Sequence, residues 1–524
     1  MMLVSVVLSI LLGFAQASPR CNINVPGKIH DVEILSISTT QVQNYTSDDL
    51  SSIAPTYVST IDFCNVTVTL THPDQDDYVV MSIWLPPAKR WNGNYLATGG
   101  GGLIAGYFAS RQGPGVALGY ATASTDAGFA HDTVNQTEGS WALKSDGSAN
   151  TALLTNFAYR SIHDMNVLGK AIIREYYGVG HRYSYYHGCS TGGRQGYLSA
   201  MYYPDDFDGI LAISPAIHTP QVSPADFWPS VVMGNSVAPP QCVFNAYETA
   251  IVAACDHLDG AVDGLISTYG PDACNFDPTT LVGKSIDCSD TNTTVTITSA
   301  ESDVVLECLQ GPTDENGKQL WYGIPLGASF SGLANTVIVN RTGIAKPFEA
   351  AEAWIKYFIF LDANYPASNM TYSDFAEAFA LSVKKFTPQF GTLHPDLEGF
   401  RKAGAKLLTW HGLADEYIPP AGTTRFHDAL SEGMGEGVDV GQFYRVFLAP
   451  GAAHCSGGYG PVPTNPWEAL TSWVENGEAP EYLFASTVDA SGKTVSRNLC
   501  PYPSRLVYQG GDVSHATSFT CQAP

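Results

Sequence analysis

Short β-branched stretches and longer helical periods alternate over the first two hundred residues. TYVSTIDFCNVTVTL (56–70) and DYVVMSIWLP (77–86) have the two-residue alternation and residue types of strands, and NYLATGGGG (94–102) reads as a strand running into a glycine loop. Between Thr151 and Tyr177, Leu154, Phe157, Ile162, Met165, Leu168 and Ile172 recur at roughly helical spacing, and Gly178 stops the run. The aromatic strand HRYSYYHG comes next, then a glycine turn, then a helix RQGYLSAMYY. From about Gln221 to Leu393 the texture changes to Pro-rich loops, clustered cysteines, acidic turns and one amphipathic helix around FEAAEAWIKYFIF. Strand-and-loop units return at KLLTWHGLADEYIPP and YRVFLAPGAAHC. The pattern predicts an α/β core over 18–220 and 394–524, interrupted by an inserted lid over 221–393.

Composition narrows the class. The chain has 524 residues, of which 44% are hydrophobic and 15% charged, so it can bury a large core and is not disordered. A formal charge of −24 argues against nucleic acid or an anionic membrane as partner. MMLVSVVLSILLGFAQA is an apolar run ending in a small-x-small site, read as a signal peptide over 1–17; it is shorter than the roughly 20 residues that span a bilayer. Six sequons, at Asn44, Asn65, Asn135, Asn292, Asn340 and Asn369, fit a secreted glycoprotein. Eleven cysteines in an oxidising compartment pair for the most part and leave one over.

The glycine turn carries chemistry. GCSTG, Gly188 to Gly192, matches the G-x-S-x-G elbow of an α/β-hydrolase nucleophile, although in a chain with 50 glycines the motif alone is weak. Its weight comes from two later residues that complete the order this fold requires, Ser, Asp, His. Asp415 stands after the strand KLLTW and His454 after YRVFL. Ser190 is then the nucleophile, His454 the base and Asp415 the group that orients the imidazole. Oxyanion donors are expected from the Thr191 N–H and from the loop TGGGGLIAG, at Gly101 or Gly102; that loop lacks both the G-K-[ST] ending of a P-loop and the dinucleotide glycine spacing. Cys189 precedes the serine and Cys455 comes directly after the histidine, so a working triad makes these two cysteines neighbours and a disulfide is expected between them.

With GCSTGGRQG, HGLADEYIP and GAAHC in this order, the chain after its leader resembles the secreted tannase and feruloyl esterase family of serine esterases, which also holds a bacterial terephthalate-monoester hydrolase. The resemblance implies nucleophile, acid and base at Ser190, Asp415 and His454, and the Cys189–Cys455 bridge. It also implies a calcium site in the lid, on CDHLDGAVDGLI: carboxylates of Asp256, Asp259 and Asp263 with the carbonyls of Ala261 and Leu265, pinning the lid. Read without the resemblance, this is an acidic turn that is not an EF-hand. The remaining cysteines suggest local pairs, Cys21–Cys64, Cys255–Cys274, Cys288–Cys308 and Cys500–Cys521, with Cys242 unpaired.

The expected function is a secreted carboxylic ester hydrolase cleaving esters of phenolic acids through an acyl-enzyme. Hydroxycinnamoyl esters are favoured and galloyl esters are the alternative. The lid aromatics Trp321, Tyr322, Trp354, Tyr357 and Phe358 would cover the acyl group. An acyltransferase and a non-catalytic binding glycoprotein on the same fold are the other readings. Nothing in the sequence specifies an oligomeric state.

Overall fold

The structure is a computed structural model that describes residues 21–23, 29–47, 60–129, 135–270, 274–340 and 342–523. The leader expected at 1–17 lies outside them. Among the described residues no helix is long and apolar enough to cross a membrane.

One nine-stranded sheet organises the described residues. Its strands are β1 (Glu33–Thr46), β2 (Thr60–Thr71), β3 (Val79–Leu85), β4 (Tyr95–Thr98), β5 (Ala121–Thr125), β6 (Ser184–Cys189), β7 (Gly209–Ile213), β8 (Lys406–Gly412) and β9 (Tyr444–Ala449). Their order is β1-β2-β3-β5-β4-β6-β7-β8-β9. β1, β2, β3 and β5 pair antiparallel in turn, and from β5 to β9 the neighbours run parallel. Helices cover both faces of a parallel sheet, which is why β4, β5 and β7 are buried at every residue. The parallel strands also bring their C-terminal ends to one edge, where the loops after β6, β8 and β9 meet. This is an α/β-hydrolase core.

The helix expected over 151–177 forms, with one irregularity. A π-turn at Asn156–Arg160 precedes α1 (Ser161–Tyr177). The Asn156 side chain donates to the Asp77 carboxylate at 2.9 Å and to the Ala127 carbonyl at 3.1 Å, and accepts from Arg160 Nε at 2.7 Å. A side chain committed to tertiary partners thus accompanies the widened turn.

Between β7 and β8 lies the predicted insertion, and it is more helical than its loop-like composition suggested. It contains α3 (Thr219–Ala225), α4 (Gln241–Cys255), α5 (Ser299–Gln310) and α6 (Tyr372–Phe390), with two small hairpins. The start signals of α5 and α6 were present in the sequence: Thr298 with Glu301, and Thr371 with Asp374, form reciprocal capping boxes. Its apolar side chains share one cluster with those of the core. Phe390 meets Phe157 at 6.0 Å between ring centroids, and Phe358 meets Trp141 at 5.3 Å.

Four expected disulfides are present: Cys21–Cys64, Cys189–Cys455, Cys255–Cys274 and Cys500–Cys521. The fifth expectation is corrected. Cys288 pairs with Cys242, their Cα atoms 5.4 Å apart, and Cys308 is the free, buried thiol. Cys242 begins α4 beside the hairpin that carries Cys288, and its N–H donates to the Asp290 carboxylate at 2.8 Å. Cys308 points into the apolar cluster from the buried face of α5. Five of the sequon asparagines are exposed, and Asn65, on β2, is half-buried and accepts from Ser82 Oγ at 3.0 Å.

A buried ion cluster ties the sheet to the helical layer. His72, after β2, places Nδ1 2.6 Å from Asp77 and Nε2 3.0 Å from Asp164 of α1. Burial works against the imidazolium, but the hydrogen bonds and charges of Asp164 and Asp77 outweigh it and raise its pKa from 6.5 to about 9. A raised folded-state value stabilises fully below 6.5, and that contribution fades as pH rises through about 9. His72→Ala removes the cation shared by Asp77, which keeps Asn156 and Arg160, and Asp164, and should therefore cost about 1–3 kcal/mol near pH 6. Denaturant unfolding should show the gap to the unaltered protein narrowing from pH 6 to pH 9.

Candidate active site

β6 ends at Cys189 and α2 (Thr191–Tyr202) begins two residues later, so Ser190 alone makes the turn. Its backbone sits at φ 59°, ψ −124°, a strained conformation costing about 1–3 kcal/mol. The surroundings enforce it. The Ser190 N–H donates to the Ile213 carbonyl and its own carbonyl accepts from Ala216, each at 3.0 Å. A Cβ on Gly188 would lie 2.4 Å from the Gly192 backbone, and one on Gly192 would lie 2.8 Å from the Gly100 carbonyl. Both flanking positions therefore require glycine.

Asp415 and His454 stand on the neighbouring loops, after β8 and β9. The Asp415 carboxylate is fully buried and accepts the N–H groups of Tyr417 at 3.0 Å and Ile418 at 2.9 Å. His454 Nδ1 lies 2.8 Å from Asp415 Oδ2 and 3.0 Å from Oδ1. A second histidine, His411 of β8, places Nε2 3.0 Å from Asp415 Oδ2, while Thr423 Oγ1 lies 2.8 Å from its Nδ1. Sequence reasoning did not single out His411; its position four residues before Asp415 was the available signal.

Burial opposes the Asp415 charge, but His454, His411 and their hydrogen bonds hold its pKa well below the usual carboxylate range. Burial likewise opposes the imidazolium of His454, and the Asp415 charge overrides it, raising that pKa above 6.5. The imidazole is thus fixed through Nδ1 and made more basic. The Cys189–Cys455 bridge, with Cα atoms 5.8 Å apart, joins the residue before Ser190 to the residue after His454.

Ser190 and His454 border two cavities of about 240 Å³ each. Gly102 also borders both, whereas Gly101 borders only the second. Gly102 has φ +55°, and a Cβ there would meet the Gln136 carbonyl at 2.3 Å. Its carbonyl accepts from Thr191 Oγ1 at 2.6 Å, which fixes the glycine loop against the start of α2. The Thr191 N–H is one of the helix's first-turn donors, which have no partner within the helix.

The first cavity has apolar walls from Leu103, Phe157, Val222, Phe348, Trp354 and Ile418, and polar groups from Arg194, Thr219, Ser223, Asp226 and Tyr417. Of the five lid aromatics expected over an acyl group, only Trp354 borders it. Phe358 stacks behind Trp354 at 4.3 Å, and Trp321 packs against His218 at 5.5 Å. Tyr322 borders a separate apolar hollow, and Tyr357 lies against Gly139. The second cavity is more polar, with Tyr107, Arg111, Gln136 and His187.

The acidic turn of the insertion carries Asp256, Asp259 and Asp263, whose carboxylate oxygens do not converge on one point among the described residues. Their oxygens bond the turn's own N–H groups, at Ala261, Asp263, Gly264 and Leu265, and Asp263 also pairs with Arg497. Burial raises the Asp259 and Asp263 carboxyls above their usual range, with neighbouring carboxylates adding to the effect. Asp259 Oδ2 is buried without a partner. The donors are all oxygen, the chemistry a hard cation such as calcium takes, although Asp263 is engaged with Arg497 and the three carboxylates are not gathered around a common point.

Comparison with known proteins gives the family. Residues 64–522 match the family described as tannase and feruloyl esterase. A probable feruloyl esterase of Arthroderma benhamiae is 47% identical over 468 residues, covering 88% of this chain and 86% of the relative. Feruloyl esterase B of Aspergillus niger is 29% identical, with 96% and 95% covered. Among solved structures, the tannin acyl hydrolase from Aspergillus niger superposes with a TM-score of 0.86 at 26% identity, covering 96% of this chain and 93% of that one. Feruloyl esterase B from Aspergillus oryzae gives 0.78 at 27% identity, covering 94% and 97%.

The bridge between Cys189 and Cys455 closes a span of 266 residues. Replacing both cysteines by alanine should lower stability by about 2–5 kcal/mol in denaturant unfolding. Non-reducing peptide mapping of the unaltered protein should recover this pair, together with Cys242–Cys288.

Proposed function

The chain belongs to the tannase and feruloyl esterase family and is a carboxylic ester hydrolase, and from that premise we propose that it is a secreted serine esterase acting on esters of phenolic acids. The observation that carries the reading is a fixed imidazole, His454 on buried Asp415, bordering the same cavities as a serine in a strained elbow. Ser190 Oγ attacks the ester carbonyl carbon while His454 Nε2 takes its proton. The oxyanion that forms is held by the N–H groups of Thr191 and Gly102. His454 returns the proton to the leaving alcohol, and Ser190 carries the acyl group. Water, deprotonated by the same nitrogen, then attacks the acyl-enzyme and frees the acid.

The aromatic-walled first cavity suits a phenolic acyl group, and the polar second cavity, across Ser190, suits the alcohol. Hydroxycinnamoyl esters are the favoured acyl class, because the more identical relatives carry feruloyl esterase names. Galloyl esters are the second reading, supported by the similarity to a tannin acyl hydrolase. Five disulfides support secretion, as does the apolar leader in the sequence. A calcium ion on Asp256, Asp259, Asp263 and the carbonyls of Ala261 and Leu265 belongs to the same reading. It would supply fixed positive charge that holds the acidic turn, with no part in ester cleavage.

Ser190→Ala should reduce kcat by about five to six orders of magnitude while leaving thermal unfolding unchanged. A variant that stays active overturns the serine assignment. Rates on methyl ferulate, methyl gallate, chlorogenate and an aliphatic ester separate the acyl classes. Metal analysis of the purified protein should find bound calcium, and chelation should lower Tm; an unchanged Tm removes the calcium reading.

A further inference from the structure

Asp226, the residue after α3, borders the first cavity and is only 7% exposed. Its N–H closes the helix onto the Val222 carbonyl at 2.9 Å, but its carboxyl has no hydrogen-bond partner or counter-ion among the described residues. Its oxygens are not sealed off in the interior; unpartnered by protein, they open onto the cavity that Ser190 also borders, where a ligand group can complete them. Arg194, which borders the same cavity, does not neutralise it. That guanidinium donates to the Phe157 and Ala158 carbonyls at 3.2 and 3.0 Å and stacks on the Phe157 ring at 4.5 Å.

Resting on the esterase reading above, we propose that Asp226 recognises oxygen substituents on the acyl ring and so sets the preference for hydroxylated aromatic acids. Burial, with the nearby Asp415 charge adding to it, holds this carboxyl protonated well above the usual carboxylate range. A neutral carboxyl has two complementary faces: its carbonyl oxygen accepts from a phenolic O–H, and its own O–H donates to the neighbouring ring oxygen. Two adjacent ring oxygens, a hydroxyl beside a hydroxyl or a methoxyl, match both faces. One hydroxyl matches one of them. An unsubstituted ring leaves the carboxyl desolvated and unpaired, which lowers kcat/KM for that ester.

The test measures kcat/KM for methyl cinnamate, methyl p-coumarate and methyl ferulate with the full-length enzyme, Asp226→Asn and Asp226→Leu. Active-site titration with a fluorophosphonate and Tm establish that each preparation is folded. The unaltered enzyme should favour ferulate over cinnamate, and Asp226→Leu should collapse that ratio by roughly tenfold or more, chiefly through KM for ferulate. Asp226→Asn, which keeps a donor and an acceptor, should retain part of the ratio and carries the test if the leucine variant does not fold. An equal fall on all three esters overturns the proposal, because it assigns Asp226 to positioning the reacting groups or to the fold. A ferulate preference that survives Asp226→Leu also overturns it while leaving the phenolic-ester reading standing. An unaltered enzyme that titrates with the fluorophosphonate yet cleaves none of the three aromatic esters defeats both.

Discussion

The buried carboxylate of Asp415 is the group around which the site is assembled. A charge removed from water costs several kcal/mol unless neighbours compensate it. Here two backbone N–H groups, His411 and His454 do so, and each of those contacts requires a particular arrangement. The N–H groups require the tight loop after β8, and buried His411 requires β8 to be flanked on both sides, by β7 and β9. His454 requires β9 beside β8 in parallel register, with Trp410 opposite Phe447 and Gly412 opposite Ala449. The sheet order is therefore part of the electrostatics: it carries His454 to Asp415. In return, the charge fixes the imidazole through Nδ1.

Ser190 reaches the same place by a different constraint, backbone strain held by packing. Gly188 and Gly192 allow strand, serine and helix to close within van der Waals distance, and the Ile213 and Ala216 hydrogen bonds keep the serine in its unusual conformation. The Cys189–Cys455 bridge then links the strained turn to the base-bearing loop. Hydrogen bonds, sterics and a covalent tie restrict the same few degrees of freedom, so little reorganisation remains for the chemical step.

Around this rigid centre the cavity is composite. Its floor comes from the glycine loop and α2, and one wall from α3. The aromatic cover comes from the inserted segment. Two π-turns contribute a residue each, Phe157 from Asn156–Arg160 and Trp354 from Trp354–Ile359. Phe157 could be read from its spacing only as a helix-core residue, whereas Trp354 was already among the lid aromatics expected over the acyl group. Because core and insertion share one apolar cluster, the cavity beside Ser190 is defined by the same packing that stabilises the fold.

The range of each interaction decided whether it was legible in the chain. Chemistry set by adjacent residues could be read directly: the elbow GCSTG, the order Ser190, Asp415, His454, and the neighbouring cysteines that turn a working triad into a predicted bridge. Strand types and the interrupted α/β pattern were legible for the same reason, since local periodicity encodes them. The partner of Cys288 was not, because sequence proximity favoured Cys308 while α5 turns that thiol inward and a hairpin brings Cys288 to Cys242. Nor could Asp226 be distinguished from the other acidic residues of the chain. Its significance lies in being buried beside Ser190 without a partner, and burial and unmet hydrogen bonds arise only when segments distant in sequence pack around the same space.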